Sequence, residues 1–271
     1  MSTDLAGFKE SQRKLWAAGD YAVTARRFEG VAADLVAACG LGPGQRALDV
    51  AAGTGNVALA IAASGASPEA CDLTPELVAA GKARCDALGE WEIPWDVADA
   101  EELPFADGRY DAVLSVFGLV FAPRPQVAIA EAFRVTRSGG TVAFTSWTPG
   151  SAAARFIEVG GKYFPAQDDP PPPPHLWGDE ATARERLAPL AADVRFERGA
   201  VTWSWPSPDA ARKEAEESNN FVAAARAMLP QERYMALLED LDELMRSLNT
   251  ATDGGLTYDA EYARIVARKP G

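Results

Sequence analysis

A glycine-bearing loop between a short apolar segment and an alanine-rich segment constrains the fold of this chain most strongly. Residues 46–50 have the pattern of a buried strand, 49–56 contain two closely spaced glycines, and 57–63 have the composition of a helix. In parallel α/β sheets, such a strand–loop–helix unit presents backbone N–H groups at the carboxyl end of the strand, where ligands bind. The loop therefore predicts a doubly wound sheet with a ligand site at its strand ends.

The segments around this loop alternate between strand and helix patterns as far as residue 147. We predict strands at 46–50, 69–73, 91–97, 110–116 and 141–147, separated by helices that include 21–39, 57–63, 74–88 and 126–136. This alternation is typical of a parallel sheet with right-handed crossovers. Near-continuous apolar strands, such as 112–116, indicate that helices cover both faces of the sheet.

The pattern changes after Trp147. Five prolines at 170–174 indicate a stiff, extended stretch, and 208–249 is mostly helical. We predict that 194–205 and 258–268 form an antiparallel edge of the sheet, with the helical segment between them as a cap. The chain 1–271 is expected to form one domain, with a helical entrance at 1–40, a cofactor-binding core at 41–147, and an acceptor-site cap with the last strands at 148–271.

Charge and composition argue against several function classes. The chain has 26 Lys and Arg against 39 Asp and Glu, a net charge of −13, which disfavours nucleic acid and anionic membranes as partners. Its three cysteines form no C-x-x-C pair and His175 is its single histidine, so we expect neither a disulfide framework nor a metal site. The sequence shows neither a signal-peptide pattern nor a membrane span, and we expect a cytoplasmic protein.

The glycine loop is compatible with two different cofactors. Gly53-x-Gly55-x-x-Ala58, with Asp72 downstream, matches the dinucleotide fingerprint of an NAD(P)-dependent oxidoreductase. Asp49, however, stands at the strand end, where its carboxylate would repel a pyrophosphate. S-adenosylmethionine carries a sulfonium and an ammonium and no phosphate, so Asp49 can support its cationic end while Asp72 accepts from the ribose hydroxyls.

The loop and its surroundings resemble class I S-adenosylmethionine-dependent methyltransferases in five ordered motifs over about residues 46–147. Residues 48–56 resemble motif I, in which Asp49, Ala51, Gly53 and Gly55 fill the acidic-x-Gly-x-Gly-x-Gly positions and Ala51 replaces the first glycine. Residues 71–75 resemble the second-strand motif, whose acid binds the ribose. Residues 99–105 are similar to the loop that holds the adenine, 110–115 resemble motif IV, and 134–140 resemble the turn before the fifth strand.

The resemblance implies a Rossmann-like, seven-stranded, mostly parallel sheet with a reversed last strand. The implied relatives are the ubiquinone- and menaquinone-biosynthesis-like small-molecule methyltransferases. Residues 16–21 also resemble the N-terminal helical entrance of related bacterial enzymes, in which the tyrosine lies near the methionine end of the cofactor. The implied cofactor site consists of Tyr21, Asp49, Ala51, Gly53, Gly55, Asp72, Leu73, Asp99, Ala100 and Ser115.

The expected activity is methyl transfer to a small organic acceptor at O, N or C, with S-adenosylhomocysteine as the product. Residues 115–119 lack the Pro-Pro-aromatic signature of enzymes that act on DNA bases or glutamine amides. Candidate acceptor-lining residues are Trp16, Phe117, Phe121 and Trp177, each of which could equally be an ordinary core aromatic.

His175 is the candidate general base, and a solvent-facing loop histidine is the alternative interpretation. Two other functions remain open at this point: an NAD(P)-dependent oxidoreductase, and a cofactor-binding fold used for a non-methylating reaction or a structural role. The sequence also leaves open a homodimer.

Overall fold

The computed structural model describes residues 5–164 and 170–271, and the described part contains a seven-stranded sheet. The strands are β1 (Arg46–Val50), β2 (Ser67–Asp72), β3 (Trp95–Val97), β4 (Tyr110–Ser115), β5 (Thr136–Trp147), β6 (Asp193–Trp205) and β7 (Leu256–Arg268). Their order across the sheet is β3-β2-β1-β4-β5-β7-β6. β7 is antiparallel to both of its neighbours, while β1 to β5 pair in parallel, which confirms the predicted fold class.

Helices precede, separate and cap these strands. They are α1 (Leu5–Ala17), α2 (Tyr21–Arg26), α3 (Glu29–Cys39), α4 (Asn56–Ala63), α5 (Pro75–Leu88), α6 (Pro125–Val135), α7 (Ala152–Gly161), α8 (Glu180–Leu187), α9 (Pro208–Ser218), α10 (Asn220–Met228) and α11 (Gln231–Leu248). Short 3-10 turns occupy Leu119–Phe121 and Pro174–Gly178. The insertion predicted between the last two strands consists of α9, α10 and α11.

Buried apolar side chains cover both faces of the parallel strands. Leu48 and Val113 belong to one core cluster, whereas Ala47 and Leu114 belong to another. Because successive strand residues point to opposite faces, these clusters lie on opposite sides of the sheet. The sheet is therefore doubly wound, and ligands are expected at its carboxyl edge.

Three predicted elements differ from the observed ones. The predicted helix at 21–39 is interrupted between α2 and α3, where Phe28 turns its ring into an aromatic cluster. The third strand is only three residues long and begins directly after Pro94, which has no N–H to donate to a ladder. β5 begins at Thr136 rather than 141, because Thr136 already pairs with Tyr110 of β4; the register then shifts before Thr141 pairs with Ala112.

Candidate functional site

The glycine loop between β1 and α4 turns through left-handed backbone conformations. Gly53 and Gly55 have φ angles of 56° and 85°, and Ala51 has a φ of 55°, which is strained for a residue with a side chain. Gly118, after β4, packs against this turn so closely that an added Cβ would lie 2.5 Å from the Cβ of Ala51. The loop thus has little freedom to change its shape.

Asp49 at the end of β1 holds a buried carboxylate oxygen without a partner. The side chain is 1% exposed, and its Oδ2 accepts a 2.9 Å hydrogen bond from the N–H of Ala58. Oδ1 has no hydrogen-bond partner among the described residues. Burial raises the pKa of Asp49 well above its ordinary value, opposed by the Ala58 hydrogen bond and reinforced by the charge of Asp72. An incoming cation or hydrogen-bond donor would satisfy Oδ1.

Asp72 at the end of β2 holds the glycine loop in place. Its Oδ2 accepts from the N–H of Gly53 and its Oδ1 from the N–H of Thr74, both at 2.9 Å. Burial raises the pKa of Asp72 even though these N–H groups lower it. Each carboxylate oxygen can accept a second hydrogen bond, so Asp72 can support the loop and bind a hydroxyl together.

Tyr21 lies over the glycine loop and closes the space above it. Its Cε1 would be 2.9 Å from a Cβ added to Gly53, and its ring meets Trp16 edge-on with centroids 5.6 Å apart. Burial raises the pKa of Tyr21, and the charges of Asp72 and Asp49 add to that effect. The cavity that Tyr21 and Asp49 share with Thr54 is about 20 Å³, room for a single water molecule.

α1 is fastened across the carboxyl edge by polar contacts and contains no buried residue. Lys9 Nζ lies 2.6 Å from Asp99 Oδ2 and 2.8 Å from Glu101 Oε2. Arg13 Nε donates to the carbonyl of Leu73 at 3.1 Å. Asp99, expected to face an adenine amino group, therefore binds Lys9 in this structure, while the neighbouring Ala100 packs against the core.

Ser115 and Glu101 stabilise the turns beside the site. Ser115 Oγ accepts from the N–H of Leu119 at 2.9 Å and thereby caps the 3-10 turn after β4. Glu101 is 6% exposed and accepts from the guanidinium of Arg124 and from Lys9. Ser115 is thus seen in a supporting position, and its predicted contact with a cofactor stays a prediction.

A cluster of aromatic rings continues the carboxyl edge beyond β4. Phe117 stacks on Trp147 with centroids 3.9 Å apart and planes 7° from parallel. Phe28 and Tyr262 meet Phe117 edge-on at 5.0 and 5.6 Å. Phe117 has a φ of 57°, a conformation that bulky residues adopt only when their surroundings enforce it. Phe121 lies apart from this cluster and meets Trp16 edge-on at 5.5 Å.

Trp177 lies on the other face of the sheet from this aromatic cluster. Its ring is 1% exposed and meets Phe144 edge-on, and Phe144 and Trp147 point to opposite faces of β5. The ring packs in the core on that face, and its predicted place in the acceptor site stays a prediction.

His175 is largely buried, which corrects the solvent-facing alternative. The imidazole is 12% exposed, and its Nε2 lies 4.0 Å from Glu158 Oε1. Its Nδ1 is buried without a hydrogen-bond partner in the described residues.

Several residues of the site escaped prediction. Lys9 belongs to no motif, and Glu101 lies in the 99–105 motif without being predicted as a site residue. Their proximity in space gives them a role. Gly118 could have been noticed, since a glycine just after a strand end often marks a close backbone approach. Phe28 falls inside the predicted helix 21–39, and the interruption between α2 and α3 gives no sequence signal.

Metal binding and membrane insertion are two further functions on which the described residues bear. Among residues 5–164 and 170–271, no group of three or more His, Cys, Asp or Glu side chains is placed to hold a metal ion. In the same residues, no helix combines the length and the apolar character needed to cross a membrane.

Comparison with known proteins places the chain in a family. Residues 48–144 match the family described as "Methyltransferase domain". An uncharacterised protein of Mycobacterium tuberculosis is 36% identical over 268 residues, and the match covers 96% of this chain and 94% of that protein. The demethylmenaquinone methyltransferase of Mycolicibacterium paratuberculosis is 41% identical over 116 residues, covering 42% of this chain and 47% of its own.

Solved structures share the fold. The crystal structure of a putative methyltransferase from Bacillus halodurans superposes with a TM-score of 0.60 at 21% identity, covering 89% of this chain and 99% of that one. The chain belongs to the class I S-adenosylmethionine-dependent methyltransferases. Its activity is S-adenosylmethionine-dependent methyl transfer, which confirms the resemblance and sets aside the nicotinamide interpretation of the loop.

Proposed function

We propose that this enzyme methylates a small, apolar, flat organic acceptor and that the cavity beneath Tyr21 is where it binds the methionine end of S-adenosylmethionine. The observation that carries the proposal is the buried, partnerless Oδ1 of Asp49 in that cavity. A carboxylate in this state fits a ligand with a positively charged head, because a buried charge requires a partner.

The other residues that we predict to bind the cofactor lie around the cavity beneath Tyr21. Ala51, Gly53 and Gly55 let the backbone approach a ligand closely. Asp72 offers its free lone pairs to the ribose. The last members extend the site on either side: Leu73, Asp99 and Ala100 toward the adenine, and Tyr21 and Ser115 toward the methionine end.

The cover formed by α1 and α2 has to move before a cofactor can enter, since a cavity of about 20 Å³ admits one water molecule at most. α1 buries no residue, so the movement exposes little further surface of this helix. It has to break the polar contacts of Lys9 and Arg13 and the ring contacts of Trp16. An adenine amino group at Asp99 would replace Lys9 as the partner of that carboxylate. After closure, the same cover excludes water from the reacting atoms.

When bound, S-adenosylmethionine supplies a methyl group already activated by its sulfonium. The protein then has to hold the acceptor in line with the methyl group, about 3–3.5 Å away, and to keep water out. We assign acceptor positioning to the aromatic cluster of Phe117, Trp147 and Phe28, which adjoins the cavity through Phe28. A flat acceptor suits these rings, in keeping with a relative named for demethylmenaquinone. Trp16 and Phe121 form a second aromatic pair beside Tyr21.

His175 is the candidate general base for an acceptor that must lose a proton. It lies in the 3-10 turn whose Pro174 carbonyl accepts from Ser146 near the carboxyl end of β5. Its partnerless Nδ1 could accept a proton, while Glu158 would stabilise the imidazolium that forms. We infer that the enzyme works in the cytoplasm on a small molecule rather than on nucleic acid, consistent with a net charge of −13.

The first experiment is calorimetry with S-adenosylhomocysteine and, separately, NAD on the wild type and Asp72→Ala. We expect S-adenosylhomocysteine to bind, the substitution to weaken it, and NAD not to bind. NAD binding alone would overturn the proposal.

The second experiment supplies methyl-labelled S-adenosylmethionine with a panel of hydroquinones, catechols and aromatic amines, on the wild type and His175→Asn. Labelled product supports a flat acceptor, and its loss in His175→Asn with intact S-adenosylhomocysteine binding identifies the base. Cofactor binding without product from any flat acceptor would contradict the proposed acceptor class.

A further inference from the structure

A second and larger cleft lies in the cap, between α9, α10 and the carboxyl-terminal part of α11. Its volume is about 610 Å³, within the range of small-molecule sites. Two apolar residues, Met245 and Leu256, line it together with charged side chains. Met245 and Leu256 also pack in the aromatic cluster with Phe28 and Trp147, so this cluster separates the cleft from the cavity beneath Tyr21.

Two arginines at this cleft are available for a ligand. Arg226 and Arg246 are exposed, and neither side chain has a hydrogen-bond or ion-pair partner in the part of the chain that the structure describes. Arg212, in contrast, is held by Glu216 at 2.9 Å and by Asp242 across the cleft.

The acidic residues that line the cleft are mostly engaged by other cations. Glu216 and Asp242 share Arg212, and Glu217 lies 3.9 Å from Lys213. Asp209 is the exposed acid without a partner among the described residues. The two free guanidinium groups therefore outnumber the free carboxylate.

A buried hydroxyl on α11 also lacks a partner. Tyr234 is 4% exposed, and its Oη has no hydrogen-bond partner among the described residues. Burial raises the pKa of Tyr234; the charge of Glu216 adds to this, and Arg226 and Arg212 oppose it. These three residues line the cleft, whereas Tyr234 itself packs against Val222 and Leu238 and is not a lining residue. Buried polar groups without partners are uncommon in proteins, and a bound ligand is one way of satisfying them.

We propose that the cap cleft is a second ligand site, which binds a small organic carboxylate or phosphate that also has an apolar part. Arg226 and Arg246 bind the anionic group, since guanidinium groups match the geometry of carboxylates and phosphates, and Met245 and Leu256 contact the apolar part. The net charge of −13 opposes the approach of an anion, but charges beyond about 8 Å are largely screened at physiological ionic strength. The two arginines therefore dominate once the ligand is inside.

The test is calorimetry with phenyl phosphate, benzoate and inorganic phosphate on the wild type, Arg226→Gln and Arg246→Gln. Arg233→Gln is the matched control, because Arg233 is also on α11, is exposed and does not line the cleft. We expect phenyl phosphate or benzoate to bind with one-to-one stoichiometry and each cleft variant to weaken it about tenfold, as for a lost charge-assisted hydrogen bond. Arg233→Gln should stay within twofold of the wild type.

The other arms decide what kind of ligand is bound. The stronger of phenyl phosphate and benzoate identifies the preferred anionic group, and inorganic phosphate should bind at least tenfold more weakly because it lacks the apolar part. Absence of binding by both aromatic anions, equal weakening by Arg233→Gln, or inorganic phosphate binding as tightly as phenyl phosphate would each overturn the proposal.

Titration with S-adenosylhomocysteine separates this site from the donor cavity. We expect Arg226→Gln and Arg246→Gln to leave its affinity unchanged, because the aromatic cluster lies between the two cavities. If S-adenosylhomocysteine fails to bind while phenyl phosphate binds as described, the donor-site proposal fails and the cap-cleft proposal stands.

Discussion

At the carboxyl edge of the sheet, β1 and β2 end in buried carboxylates, whereas β5, β6 and β7 meet in aromatic rings. Asp49 and Asp72 are 1% and 6% exposed, and only Asp49 has an oxygen without a partner. On the other side, Trp147 stacks on Phe117, and Trp203 stacks on Trp205. Binding in the polar half depends on single atoms and charges, whereas packing in the aromatic half depends on the shape and the contact area of the rings. Substitutions in the two halves should therefore change different measurements.

Asp49→Asn should have the largest effect on cofactor binding. Removing one partner of a buried charge pair costs about 3 kcal/mol, so S-adenosylhomocysteine should bind about 100-fold more weakly. The free protein should become more stable by about 1 kcal/mol, because an uncompensated buried carboxylate is replaced by a neutral amide. Calorimetry and urea unfolding measure the two effects. Glu90→Gln, at an exposed acid between α5 and β3, is the control, and a similar loss of binding there would remove the special role of Asp49.

Trp147→Leu tests the aromatic half. The truncation of a buried ring should lower the free energy of unfolding by about 2–3 kcal/mol and reduce acceptor turnover, while S-adenosylhomocysteine binding stays within threefold. Phe133→Leu, at a buried ring of the core on the opposite face of the sheet, is a control, expected to lose stability with turnover intact at a temperature where both variants are folded. Equal loss of turnover in both variants would contradict an acceptor position at Trp147.

Asp72→Ala should weaken S-adenosylhomocysteine binding by about 2 kcal/mol, the range for hydrogen bonds to a charged group. The loss combines the proposed ribose contact with the two N–H groups that hold the loop. Asp72→Asn keeps one acceptor oxygen, so its affinity for S-adenosylhomocysteine should lie between those of Asp72→Ala and the wild type in a titration. An unchanged affinity in Asp72→Ala would exclude the ribose role.

Cofactor affinity should rise with pH. The pKa of Asp49 is raised by burial, so this group is more readily protonated than an ordinary aspartate and must ionise to bind an ammonium group. The affinity for S-adenosylhomocysteine should increase by up to about tenfold per pH unit below that raised pKa and then level off. The free energy of unfolding of the ligand-free protein should change with pH in the opposite direction. A carboxyl group whose pKa is raised by folding stabilises the folded state at low pH, and this stabilisation is lost as the pH rises through the raised pKa. Asp49→Asn should flatten the affinity profile; a slope that persists would assign it to Asp72, whose pKa is also raised by burial.

Ala51→Gly should have the smallest effect. Glycine removes the strain of a φ of 55° but adds conformational entropy to the unfolded chain, so the net gain in stability is expected to be about 0.5 kcal/mol. Thermal melting with and without S-adenosylhomocysteine measures it. A loss of several degrees would mean that the Ala51 methyl group contributes more through its contact with Gly118 than its strain costs.

The polar half was the more predictable from sequence because its signals are local. β1, the glycine loop and α4 follow one another without interruption, and the acid of β2 follows at the next strand end. The aromatic half is assembled from strands distant in sequence: Trp147 pairs with Tyr262, and Trp205 with Leu256. Sequence reasoning therefore listed Trp177 and Phe117 together, although only Phe117 lies in the cluster.

The sequence by itself determined the alternation of strands and helices, the left-handed turn at the glycine loop and the acids at the strand ends, because these depend on neighbouring residues and on the backbone. Only the tertiary structure decided which groups became partners. Lys9 reaches Asp99 across 90 residues, and His175 approaches Glu158 because the 3-10 turn Pro174–Gly178 packs near α7. The partnerless oxygen of Asp49 likewise depends on the packing of Tyr21 above it. Burial and proximity arise only when distant segments pack together, and no local pattern records them.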